Sequence, residues 1–171
     1  MQNIRIVEFS PCRMVSSGKG IFGEEKFTRF HEWMSRQPQT AVYPENYLCG
    51  DGSGVCWLYR YRDGMEVPQE FEIIPFSGGF YAVATDIDQQ TDTAAMNREV
   101  NAFLEENGWE RDPGRSEMGH VLTSPAAQAV MGYSQMDYYT PIKAKGLTEA
   151  PPQTAKPSGS PNPVWRRGEQ P

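Results

Sequence analysis

The chain of 171 residues is long enough for one domain with a sizeable core and too short for two ordinary ones. Apolar residues make up 38% and charged residues 22%, and the 22 acids outnumber the 16 bases for a formal charge of −6. An acidic chain without a clustered basic face is poorly suited to gripping phosphate backbones, so direct nucleic-acid binding is not expected.

The N-terminal "MQNIRIVEF" lacks the apolar core of a signal peptide, and no apolar run approaches transmembrane length. No membrane partner is therefore expected, and the expected location is cytoplasmic. Cys12, Cys49 and Cys56 are three and form no C-x-x-C, so they read as reduced thiols packed as small apolar groups. His31 and His120 stand apart from them. No metal-ligand spacing occurs, and no metal or other cofactor is expected.

In chain order, "IVEFSPCRMV" (residues 6–15) reads as a strand with a turn after Phe9-Ser10. "SSGKGIFG" (16–23) invites a phosphate-loop reading, but G-x-x-x-x-G-K-[ST] is not met; its glycines read as the turn into a helix. "EEKFTRFHEWMSRQ" (24–37) sets Phe27, Phe30, Trp33 and Met34 on one helical face. Strands follow around "NYLC" (46–49) and "VCWLYRY" (55–61). "IIPFSGGFYAV" (73–83) repeats the opening pattern, with Phe76-Ser77 offset by 67 residues from Phe9-Ser10.

A second helix over "TDTAAMNREVNAFLEENG" (91–108) spaces Met96, Val100, Phe103 and Leu104 on one face, with Thr91 or Asp92 to cap it and Gly108 to stop it. "WERDPGR" (109–115) reads as a charged, solvent-facing turn. "GHVLT" (119–123) and "MGYSQMDYYTPIK" (131–143) read as strands, the latter stopped by Pro141. From Thr148 the sequence changes character, with six prolines in 24 residues, which describes a disordered tail; Trp165, Arg166 and Arg167 could form a short docking motif within it.

The expected organisation is a domain over 1–147 and a Pro-rich disordered tail over 148–171. The expected fold class is α+β: duplicated strand–helix–strand–strand units forming an antiparallel sheet, with two helices on one face and a central ligand groove.

Asp137 is the odd residue in the closing strand. Alternation puts Gln135, Asp137 and Tyr139 on one face, and Met136, Tyr138 and Ile142 on the face under the helices. In "VCWLYRY", Trp57, Tyr59 and Tyr61 share a face. By pseudo-symmetry both aromatic faces are expected to border one groove, making a ring-lined pocket with one acid. Aromatic faces attract cations by about 0.5–2 kcal/mol per contact, and a carboxylate adds to that. The alternative is that Asp137 faces water at a sheet edge.

Together these residues resemble the GyrI-like small-molecule-binding family, also met as the effector-binding domain of AraC-type and MerR-type multidrug regulators. The resemblance rests on "GGFYAVATDID" (78–88), "VCWLYRY", and a closing L-G-Y-x-Q-M-D-x-Y-x-P-I signature, read here as "MGYSQMDYYTPI" with Met131 for the leucine. It implies two strand–helix–strand–strand units around a pseudo-twofold and an aromatic pocket for bulky, often cationic, planar compounds. Regulator members carry an acid, usually Glu, four residues before the Pro of the closing strand. Asp137 is the matching position, a shorter acid. Trp57 and Tyr59 fall on the family's aromatic strand, and Tyr139 on the tyrosine ahead of the Pro.

No helix-turn-helix precedes the first strand, so a one-component transcription factor is not expected. The leading expectation is a non-catalytic binder of aromatic or cationic small molecules through Trp57, Tyr59, Asp137 and Tyr139. One alternative is a small hydrolase, of the kind that acts on cyclopropane-bearing genotoxins, with Asp137 as general base and Tyr139 or Tyr59 as acid. The other is a module acting on a protein such as DNA gyrase or a regulator, with the tail taking part.

Overall fold

A computed structural model describes residues 4–38, 45–50 and 52–146. The expected domain boundary and the whole Pro-rich segment lie outside these residues. The elements run β1 (Arg5–Phe9), β2 (Cys12–Ser16), α1 (Glu25–Ser35), β3 (Asn46–Gly50), β4 (Val55–Arg60), β5 (Glu72–Phe76) and β6 (Gly79–Ile87). They continue with α2 (Thr93–Glu106), β7 (Trp109–Arg111), β8 (Glu117–Val121), α3 (Pro125–Met131) and β9 (Gln135–Ala144). The strands form one antiparallel sheet in the order β1-β6-β9-β8-β3-β4-β2-β5, with β7 paired to β9.

The duplicated Phe-Ser marks two bends. Phe9 ends β1 and Phe76 ends β5, and the chain folds over at Ser10-Pro11 and Ser77-Gly78. Across both bends the pairing keeps one register, from Arg5↔Val83 through Phe9↔Gly79 and Cys12↔Phe76 to Ser16↔Glu72. The two halves are therefore joined by one bent antiparallel pair. Gly78 sits at the crossing with φ 69°, and a Cβ there would lie 2.3 Å from the Phe9 carbonyl oxygen. Only glycine fits.

Both long helices pack on the same face of the sheet, each through its apolar stripe. α1 sets Phe27, Phe30 and Trp33 against Val15, Tyr59 and Phe71. α2 sets Met96, Val100 and Leu104 against Ala82, Ala84 and Ile142. Met34 and Phe103, expected with these, are only partly buried. The Asp92 carboxylate caps α2 by accepting from the Ala95 N–H at 2.9 Å.

The other face curls into a concave surface. β1 and β3 stand four strands apart, about 19 Å across a flat sheet, yet the Phe9 and Tyr47 rings lie 5.6 Å apart. Met14, Cys49, Leu58, Tyr81, Val83, Met118 and Tyr139 fill part of this hollow.

Three local expectations are corrected. The segment 109–115 is no solvent-facing turn: β7 pairs with β9, and Arg115 donates to the carbonyls of Gly78, Phe80 and Ile142 and to the Asp112 carboxylate. Residues 131–134 are not strand, because α3 intervenes, capped by the Ser124 hydroxyl and ended by Gly132 at φ 77°. Pro141 does not stop β9. Its carbonyl accepts from the Asp112 N–H at 2.9 Å, so its missing N–H faces the same turn, beyond the last β8 pair. Among the described residues no helix is long and apolar enough to cross a membrane.

Candidate functional site

The closing strand delivers its acid to the concave face. Asp137 and Tyr139 point there, while Tyr138 and Ile142 pack under α2. With Arg5, Val7 and Phe9 of β1, Tyr47 of β3, and His120 and Leu122 at β8, they line a pocket of about 550 Å³. Rings supply much of its wall. Phe9 meets Tyr47 edge-on at 5.6 Å and Tyr139 at the same distance, and Tyr47 meets Tyr139 at 5.8 Å.

Asp137 is 2% exposed, and a buried carboxylate needs donors to offset its lost hydration. Three surround it. The Thr85 hydroxyl donates to Oδ1 at 2.5 Å, the Tyr139 hydroxyl donates to Oδ2 at 3.2 Å, and the Arg5 guanidinium bridges to Oδ2. Arg5 also donates to Thr85 Oγ1 at 2.9 Å, which orients that hydroxyl toward the acid. The Arg5 side chain is 47% exposed, so the pair has one buried and one wet end.

Burial, reinforced by the Asp137 charge, pushes the Tyr139 phenol well above its ordinary value and keeps it a donor. Burial, with the Glu45 charge next, pushes Tyr47 up to about 12.

His120 is the cross-strand neighbour of Asp137 and is 4% exposed. Its Nδ1 lies 2.7 Å from the Asn46 carbonyl oxygen, which can only accept, so Nδ1 carries the hydrogen. In the neutral ring Nε2 is then an acceptor, and no described residue donates to it.

The four residues expected in one groove are divided between two faces. Asp137 and Tyr139 line the pocket; Trp57 and Tyr59 lie on the helix-bearing face. Tyr59 is 4% exposed beneath Trp33 at 5.8 Å, and Trp57 meets His31 edge-on at 4.5 Å. Trp57 also borders a separate groove of about 580 Å³ with Phe22, Leu48, Met136 and Gly119. The reason is register: in the β3–β4 pair Tyr47 opposes Leu58, and that couple, not Trp57 and Tyr59, faces the hollow.

Sequence reading also missed Arg5, Phe9, Tyr47 and His120. A signal existed for two of them. Arg5 alternates with Val7 and Phe9, and His120 with Met118, each a polar residue in an apolar stripe. A third cleft, of about 540 Å³, borders the 111–117 turn, where Arg111 and Arg115 are already bonded to Glu117, Asn97, Asn101, Asp112 and backbone carbonyls.

Solved structures of like fold include the C-terminal domain of EcmrR, at TM-score 0.61 and 11% identity over 84% of this chain and 99% of that one. A hydrolase from Listeria innocua matches at TM-score 0.62 and 12% identity, covering 83% of this chain and 92% of its own. A conserved protein from the same organism matches at 0.62 and 13%, covering 83% and 93%. At such identity the likeness establishes the fold, and it is the fold that the GyrI-like resemblance implied. No protein-family model and no curated protein sequence matches the chain.

Proposed function

We propose that this protein binds bulky aromatic small molecules, non-catalytically, in the ring-lined pocket of the concave face. The observation that carries the reading is the combination of about 550 Å³ of space, the rings of Phe9, Tyr47 and Tyr139, and a few buried polar groups placed among them. Pockets built this way hold small ligands by apolar burial and use the polar groups for orientation. A cationic ligand reaches Asp137 only by exchanging with Arg5, so its charge adds less than a bare carboxylate would supply.

The test is a calorimetric titration with methoxynaphthalene, a neutral bicyclic aromatic compound. Micromolar binding, a free energy of about −8 kcal/mol, is expected. Phe9→Ala removes a ring that touches both tyrosines and should weaken it tenfold or more. Trp57→Ala, on the opposite face, should change it less than twofold. Equal losses in the two variants would place the ligand elsewhere.

The hydrolase alternative has one observation behind it, the open acceptor nitrogen of His120, and one solved protein of like fold is described as a hydrolase. Asp137 suits the base role poorly while three donors hold it, and Tyr59 is remote from the pocket. Recovery of the ligand unchanged after incubation supports the binder; turnover supports the enzyme. A partner such as DNA gyrase, engaged through residues 148–171, is separated from both by deleting that segment, which leaves small-molecule binding intact.

A further inference from the structure

We infer that the ligand of this pocket is an uncharged aromatic molecule bearing an O–H or N–H donor, which His120 accepts at Nε2. The inference rests on the binding reading above and goes beyond it by naming the ligand's chemistry and the residue that selects it.

Two observations lead there. The first is that the acid is occupied. Asp137 accepts from Thr85, Tyr139 and Arg5, all from within the chain, and the guanidinium and carboxylate cancel in charge. A ligand cation would have to break that bridge to gain the same carboxylate, whereas an uncharged ligand leaves it in place. Tyr47 adds no charge either, since its hydroxyl keeps its proton.

The second is that His120 is 4% exposed, lines the pocket and has spent Nδ1 on the Asn46 carbonyl. Nε2 is left as a buried acceptor with no donor among the described residues. Buried polar atoms without partners are rare and costly, and a site built to hydrogen-bond a group rejects the analogue lacking it. The Tyr139 hydroxyl cannot serve Nε2, because it is committed to Asp137.

Three probes of one size test this in mildly alkaline buffer: naphthol, methoxynaphthalene and N-methylquinolinium. The first donates, the second is its methylated form without the donor, and the third is cationic. Naphthol should bind the full-length protein about tenfold tighter than either of the others, a difference of about 1.4 kcal/mol. His120→Leu should bring the naphthol-to-methoxynaphthalene ratio to about one, and His120→Gln, whose amide oxygen accepts, should restore part of it.

Should His120→Leu fail to fold, the wild-type ranking still decides. Equal binding of naphthol and methoxynaphthalene overturns the donor assignment and leaves aromatic binding standing. N-methylquinolinium as the tightest probe overturns it too. If none of the three binds, the binding reading itself falls.

Discussion

The two faces of the sheet are made of the same materials and come to different ends. The helix-bearing face carries Trp57, Tyr59, Phe30, Trp33 and Phe71; the concave face carries Phe9, Tyr47, Tyr81 and Tyr139. On the first, α1 lies over the rings and closes them into core. On the second no helix of the described residues lies over the rings, the curl leaves space, and a buried carboxylate, a guanidinium and an imidazole share it. Aromatic content therefore does not distinguish an open pocket wall from a closed core wall. The polar group set among the rings does, because it has to be held by specific donors.

The sharpest way to break this comparison is to remove a ring from the covered face. Phe30 is fully buried, so Phe30→Ala should cost about 3–5 kcal/mol, read as a lower denaturant midpoint. A change below about 1 kcal/mol would mean that the α1 face is not core.

On the concave face, Arg5→Met should act on stability and selectivity in opposite directions. It strips the cation from a buried carboxylate, which costs about 3–5 kcal/mol when both partners are buried; the half-exposed Arg5 reduces that to about 2–3 kcal/mol. The unmasked acid should then bind N-methylquinolinium about tenfold tighter than wild type does. Unchanged cation affinity would show that Arg5 does not compete for Asp137.

An effect of the same order is expected from alkaline titration. Tyr47 titrates higher in the folded protein than in the unfolded chain, where it sits near 10, and Tyr139 shifts the same way. The protonated phenol is the form the fold favours. Its contribution is complete below pH 10 and is lost as the pH rises to about 12, by about 2–3 kcal/mol for Tyr47. Denaturant midpoints across that window should fall for wild type and fall less for Tyr47→Phe. Identical profiles would mean that the fold does not hold the Tyr47 phenol away from water.

The elements that repeat at short range were legible in the chain. Helical spacing placed α1 and α2, and the shared Phe-Ser placed the two bends around which the halves join. Alternation alone required Asp137 and Tyr139 to share a face, since residues two apart in a strand always do. α3 left terminal signals, with Ser124 as cap, Pro125 in the first turn and Gly132 at the end, but it buries nothing, so no apolar stripe announced it.

Tertiary structure decided which face each strand turns to the hollow. Strand parity is local, but its sense is set by the pairing partner, and the register of β3 on β4 sent Trp57 and Tyr59 under α1 and Tyr47 into the pocket. It also decided what Asp137 does. The opening strand and the closing strand flank β6, which brings Arg5 onto a carboxylate 132 residues away, and β8 sets His120 beside it. A charge in a sequence asks for a partner without saying whether the partner is a ligand or another part of the chain. Here the sheet order supplies Arg5, and among the described residues it is His120 Nε2 that receives no donor.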